Sequence, residues 1–146
     1  MTHDRSCLLD AFAVALDVSN SELRDAIGHY GIRGYHTQEL IEYCVNNGYS
    51  VTPIERAPVA TNVIGQTWEV RFPEGFDGRF ARHLETGNGV ILGHKNSGLP
   101  HAVAWVDGAA FDPGINIWLS ILDENGLPDD EYFCPMTFLR IDRWRV

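Results

Sequence analysis

Three residues of this chain carry the side chains from which thiol catalysis is built: Cys7, His101 and Asp112. Cys7 stands at a junction in the stretch DRSCLLDAFAVAL. Asp4, Arg5 and Ser6 are polar, and from Cys7 onward nearly every residue is apolar, with Asp10 the lone exception before Asp17. A structural cysteine serves as a small hydrophobe anywhere along a buried helix. A nucleophile gains from the first turn in particular. A free thiol with a pKa of ~8.5 is mostly protonated at neutral pH, and the positive end of a helix dipole or a neighbouring imidazolium favours the reactive thiolate.

The other two residues fall in HAVAWVDGAAFDPG. Asp-Gly between two apolar runs is a strong signal for a two-residue hairpin, because both central positions of that turn need positive φ. With Asp107 and Gly108 as the loop, Val106 faces Ala109, Trp105 faces Ala110 and Val103 faces Asp112. Alternation then places His101, Val103 and Trp105 on one face, joined across the ladder by Ala110 and Asp112. His101 and Asp112 become diagonal neighbours, roughly 7–8 Å apart along the backbone, a gap their side chains can close. An imidazole steered by a carboxylate and set near a thiolate is the arrangement of a catalytic triad. Each residue also has an ordinary reading: Cys7 as helix packing, His101 as a strand histidine bonded to backbone, Asp112 as part of an Asp-Pro-Gly turn. The register that brings two of them onto one face favours catalysis.

The positioning elements follow from the pattern. The first helix is expected from Ser6 or Cys7 to about Asp17 and is apolar nearly all round, as a helix buried on most faces must be. A second starts at Ser19, where Ser19-Asn20-Ser21-Glu22 has capping-box spacing, and ends at Gly28. After the glycine-punctuated GIRGYHT, a third helix runs through TQELIEYCVNNG, with Thr37 as its cap, Gly48 as its stop and Cys44 on its apolar stripe as a core residue. YSVTPIE, TWEVRF, GVILG and MTFLRIDRWRV read as strands, the first two by alternation. A short helix is expected around Arg79 to Leu84, and NIWLSILDENGLPDDEYF reads as a loop with acidic tips. His29, His36 and His94 read as loop or cap residues, His83 as surface and Trp105 as core. The whole is α+β: N-terminal helices, then a curled antiparallel sheet packed on the opening helix.

At 146 residues the chain is expected to form a single domain over residues 1–146. A formal net charge of −9 disfavours a nucleic-acid partner, which needs a basic stripe. No apolar run approaches the ~20 residues that span a bilayer, and no signal pattern opens the chain, so no membrane partner is expected. Three widely spaced cysteines, Cys7, Cys44 and Cys134, do not make a disulfide framework, and a reducing, cytoplasmic setting fits them. His3 and Cys7 are spaced i, i+4 and, with His101 and Asp112, would make a zinc set. A helix starting after His3 breaks that geometry, so neither metal nor cofactor is expected.

A cysteine heading an N-terminal helix, a histidine opening a strand and Asp-Pro in the next strand together resemble the papain-like cysteine peptidase superfamily. Within it the chain is most similar to the C39-like peptidases of bacteria and phages, where His-x-Val, a short turn and Asp-Pro carry the base and its orienter. RGYHTQELIEYCVNNGYSVTP is similar to that family's helix ending in Gly-Tyr before a strand. The resemblance implies a papain-like domain with Cys7 as nucleophile, His101 as base and Asp112 as orienter, acting on a peptide or protein substrate. Two features depart from it. No Gln precedes the cysteine in Met1–Ser6, and SCLLDA replaces Cys-Gly-Pro, so a second oxyanion donor beside the Cys7 N–H is unassigned. Asp4-Arg5-Ser6-Cys7-Leu8 resembles the Asp-Gly-x-Cys-Leu opening of ovarian-tumour-type deubiquitinases, with Arg5 in place of Gly. That similarity implies an oxyanion role for the loop of Asp4 and Ser6.

The expected activity is cleavage of a peptide or isopeptide bond through a thioester. The same residues would serve acyl transfer or deamidation. Another class of function is a papain-like binding or host-modulating module without turnover; a small acidic chain of this kind fits a phage-encoded protein acting on a host target.

Overall fold

The apolar run after Ser6 folds into helix α1 (Asp4–Leu16) in a computed structural model that describes residues 4–28, 35–56, 61–64, 67–70, 76–95, 100–112, 117–119 and 133–144. The helix begins earlier than the hydrophobic pattern suggests, because polar residues suit a first turn whose N–H groups lack intrahelical partners. Cys7 therefore closes the first turn instead of opening it. Leu9, Ala11, Phe12, Ala13 and Leu16 are buried, as a helix covered on most faces requires. The exceptional Asp10 accepts a hydrogen bond from Asn20 at the head of the next helix. Asp17 ends α1 in the left-handed region (φ 57°), its N–H donating to the Val14 carbonyl at 3.2 Å and that of Val18 to the Ala13 carbonyl at 3.0 Å. This is a Schellman closure with aspartate in the usual glycine position.

Helix α2 (Asn20–Ile27) is capped as expected: Ser19 Oγ accepts from the Glu22 N–H at 3.0 Å, and Gly28 ends it at φ 93°. Helix α3 (Thr37–Asn46) turns Leu40 and Cys44 inward, but its N-cap is His36, one residue before the threonine expected there.

Six strands form one antiparallel sheet, in the order β1-β8-β4-β5-β6-β7. They are β1 (Tyr49–Glu55), β4 (Asn88–Lys95), β5 (Pro100–Val106), β6 (Ala109–Asp112), β7 (Ile117–Leu119) and β8 (Phe133–Arg143). A separate antiparallel pair joins β2 (Thr61–Ile64) to β3 (Thr67–Val70). Helix α4 (Phe76–Thr86) follows that pair, so the helices do not all precede the strands, and it is longer than the expected Arg79–Leu84. β7 is a strand inside the segment expected to be a loop, while positions 120–132 of that segment lie outside the described residues.

The sheet is covered on both faces. Ala102 and Ala104 of β5, with Val90 and Leu139, pack in one cluster with Leu9, Phe12, Leu23 and Leu40 of the first three helices. Small alanines let α1 lie close to the strand. Val103 and Trp105, on the opposite side of β5, pack with Ile91, Phe138, Phe80 and Leu84 of α4. Trp105 is core, as expected, and its indole N–H donates to the Leu84 carbonyl at 2.7 Å. Among the described residues, no helix is long and apolar enough to cross a membrane.

Candidate active site

The hairpin forms in the register that its turn dictates. Asp107 and Gly108 take φ 50° and 82°, and Val106 pairs with Ala109, Trp105 with Ala110 and Ala104 with Phe111. Asn88 accepts the Asp107 N–H through Oδ1 at 2.9 Å, which ties the turn to the start of β4. His101 and Asp112 are thereby carried to diagonal positions, and their side chains close the gap: Nε2 and Oδ1 are 2.8 Å apart. Both side chains are sealed from solvent, at 1% and 0% exposure. Phe133 meets the imidazole edge-on, with ring centroids 5.9 Å apart at 80°, and limits its rotation.

Alternation puts His101 on the α4 side of the sheet, yet its ring shares a cleft with Cys7 of α1. The two meet at the end of the ladder. His101 is the second residue of β5, and the partner opposite it is Gly93, which presents no side chain. A register shift in the β4–β8 pairing falls between Leu92 and Gly93. The cleft there has a volume of about 270 Å³ and is lined by Cys7, Leu8, Thr37, Leu92, Gly93, Pro100, His101 and Ala102. Nε2 is committed to Asp112, so Nδ1 is the ring nitrogen left for the thiol. Among the described residues Nδ1 has no regular hydrogen bond, although Cys7 lies near enough to influence the ring's titration.

Burial alone would lower the pKa of His101. The hydrogen bond to Asp112 opposes it, followed by the interaction with Cys7 and the charges of both partners, and the net effect raises the pKa to about 9. The imidazole is therefore protonated at neutral pH, held against the Asp112 carboxylate. Cys44 differs: burial pushes its thiol up to about 11, as expected for a core cysteine.

The remaining sequence candidates separate clearly. Asp4 and Ser6 lie in the first turn of α1 and not on a loop before it; their side chains are outside the described residues, as are His3, His29 and the side chain of Cys134. His36 is a cap, as expected. His94 is not in a loop but pairs with Pro100 and Cys134 within the sheet. His83, expected at the surface, is half-buried and shares a hydrogen bond between its Nδ1 and Arg140 Nη1 at 3.0 Å. Among the described residues no group of three or more His, Cys, Asp or Glu is placed to hold a metal ion. Thr37, expected only as a helix cap, and Gly93 both line the cleft, a placement that the sequence does not reveal. Only the hairpin register could have pointed to the strand end, and nothing local to Thr37 announces that α3 begins beside α1. Comparison with protein-family models, curated proteins and solved structures finds no match to this chain.

Proposed function

We propose that the protein is a cysteine-dependent hydrolase of the papain-like type, cleaving a peptide or isopeptide bond with Cys7 as nucleophile, His101 as acid and base, and Asp112 as orienter. The observation that carries this reading is the sealed His101–Asp112 pair, 2.8 Å apart, whose imidazole lines the same cleft as Cys7. A histidine kept only for packing has no need of a buried carboxylate, and burying both groups is costly unless each satisfies the other.

In this reading the pair works as thiolate and imidazolium. Cys7 Sγ attacks the substrate carbonyl carbon, the carbon–oxygen π pair moves onto oxygen, and the tetrahedral adduct forms. Its collapse breaks the carbon–nitrogen bond while His101 gives its proton to the departing amine, leaving a thioester. Neutral His101 then takes a proton from water as its oxygen attacks the thioester. Expulsion of sulfur as thiolate restores the starting ion pair. Asp112 holds the ring in the required orientation and stabilises its charged form. Acyl transfer or deamidation would use the same steps, with another acceptor or a glutamine amide. The apolar walls of the cleft and the chain's charge of −9 suit a peptide or protein substrate better than a nucleic acid, and free thiols suit a reducing cytoplasm.

Iodoacetamide at pH 6 tests the reading. Cys7 should alkylate at least ~10-fold faster than free cysteine, which is almost wholly protonated there. Cys7→Ala should remove the label while leaving the fold intact by circular dichroism. Alkylation no faster than that of free cysteine would overturn the hydrolase reading and favour a module that binds without turnover.

A further inference from the structure

We propose that the Thr37 hydroxyl is a donor to the oxyanion formed on attack by Cys7. The inference rests on the hydrolase reading and names a second donor beside the Cys7 N–H, in a chain whose Met1–Ser6 stretch contains no Gln.

It begins with how α3 is capped. A threonine at the head of a helix normally spends its hydroxyl on the first-turn N–H groups. Here His36 occupies the cap position, at φ −94° and ψ 142°. Its N–H donates to Glu39 Oε1 at 2.9 Å, and the Glu39 N–H donates to the His36 carbonyl at 3.0 Å. The cap is thus closed without Thr37, whose hydroxyl is released to other use. The residue is half-buried and lines the cleft that holds Cys7 and His101. Apart from these three, the cleft is lined by leucine, proline and alanine side chains and by Gly93, so Thr37 carries its one hydroxyl among the described residues.

Two further features act in the same direction. Thr37 is the first residue of a ten-residue helix whose leading N–H groups and dipole favour negative charge nearby. Independently, His101 Nδ1, on a side chain 1% exposed, has no regular hydrogen bond among the described residues and borders the same space. A carbonyl group bound between these walls would turn its carbon toward Cys7 and the base, and its oxygen toward α3. When Sγ bonds to that carbon and the π pair moves to oxygen, the Thr37 O–H donates a hydrogen bond to the new charge and keeps its proton. A donor that strengthens only as charge develops lowers the barrier without tightening ground-state binding.

Two reagents separate this role from that of the catalytic pair. Iodoacetamide alkylates sulfur by displacement at a saturated carbon and forms no oxyanion; p-nitrophenyl acetate acylates it through one. For Thr37→Val, the acylation rate, read as p-nitrophenolate release and corrected by Cys7→Ala, should fall on the order of 10²-fold. Iodoacetamide alkylation should stay within ~2-fold of wild type, because the ion pair that sets it is untouched. Thr37→Ser, which keeps the hydroxyl, should recover most of the acylation rate. Unchanged acylation in Thr37→Val would overturn the inference and leave the hydrolase reading standing. Equal slowing of both reactions would overturn it too, assigning Thr37 to support of the pair. A wild-type chain that reacts with neither reagent at pH 6 removes the hydrolase reading and this inference with it.

Discussion

Cys44 lies on α3 at 0% exposure among apolar neighbours, while Cys7, on α1, belongs to the same buried cluster at 7% exposure. Both occupy a helix within an apolar interior, and neither lies on the open surface. What differs is the facing group. Burial raises the Cys44 thiol to about 11 and keeps it protonated. Cys7 shares a cleft with an imidazole that Asp112 holds in its charged form up to a pH of about 9. The two thiols therefore differ less in depth of burial than in what they face: apolar side chains for Cys44, a buried imidazole paired with a carboxylate for Cys7.

The sharpest way to break that distinction is at the carboxylate. Asp112→Asn keeps the size of the side chain but removes the charge that stabilises the imidazolium, and turnover should fall on the order of 10³- to 10⁴-fold. Iodoacetamide labelling of Cys7 at pH 6 should fall toward that of Cys44. Labelling equal to wild type would show that the carboxylate has no part in the difference between the thiols.

A smaller effect is expected in stability against pH. The pKa of His101 is raised from an ordinary 6.5 to about 9 in the folded chain. A raised pKa means that the folded state holds its proton more tightly than the unfolded state. The resulting stabilisation is complete below pH 6.5 and is lost as pH climbs through about 9. Urea denaturation at pH 6 and at pH 9.5 should differ by on the order of 1–3 kcal/mol from this group. The Asp112→Asn chain should lose most of that difference. An equal slope in both chains would place its origin elsewhere.

Least affected should be Cys44→Ala. Removing a small buried group costs on the order of 1 kcal/mol of stability by urea denaturation. Labelling of Cys7 should not change. A drop in labelling would couple the two thiols and undo their separation into packing and chemistry.

How far the sequence foretells all this depends on what sets each feature. The His101–Asp112 pairing was readable because Asp107-Gly108 admits one tight turn and a strand's period of two does the rest. The bounds of β1, the Ser19 cap and the core role of Cys44 follow equally from local pattern. The hydrophobic pattern does not give the start of α1 at Asp4, because polar residues in a first turn look like the loop before it. His36 displaced Thr37 as cap because the Glu39 carboxylate reaches back to the His36 N–H, a choice that spacing alone does not make. β7 and the strand position of His94 depend on which chain segment lies alongside, and so does the meeting of α3 with α1 at the cleft. Such long-range packing leaves no periodic trace.

The tight turn at Asp107-Gly108 has one more consequence, for the order of assembly. The imidazole and the carboxylate are separated by 11 positions and joined by a two-residue loop, so their contact needs only a local hairpin to close. The sulfur lies roughly ninety residues away from the ring, and bringing it there carries the entropic cost of a far longer loop, about 2 kcal/mol more by simple chain statistics. The imidazole–carboxylate pair therefore needs only a small piece of the chain, while the Cys7 sulfur reaches it through the packing of α1 on the sheet. The cleft that Cys7 and His101 share is thus a property of the whole fold and of no single segment.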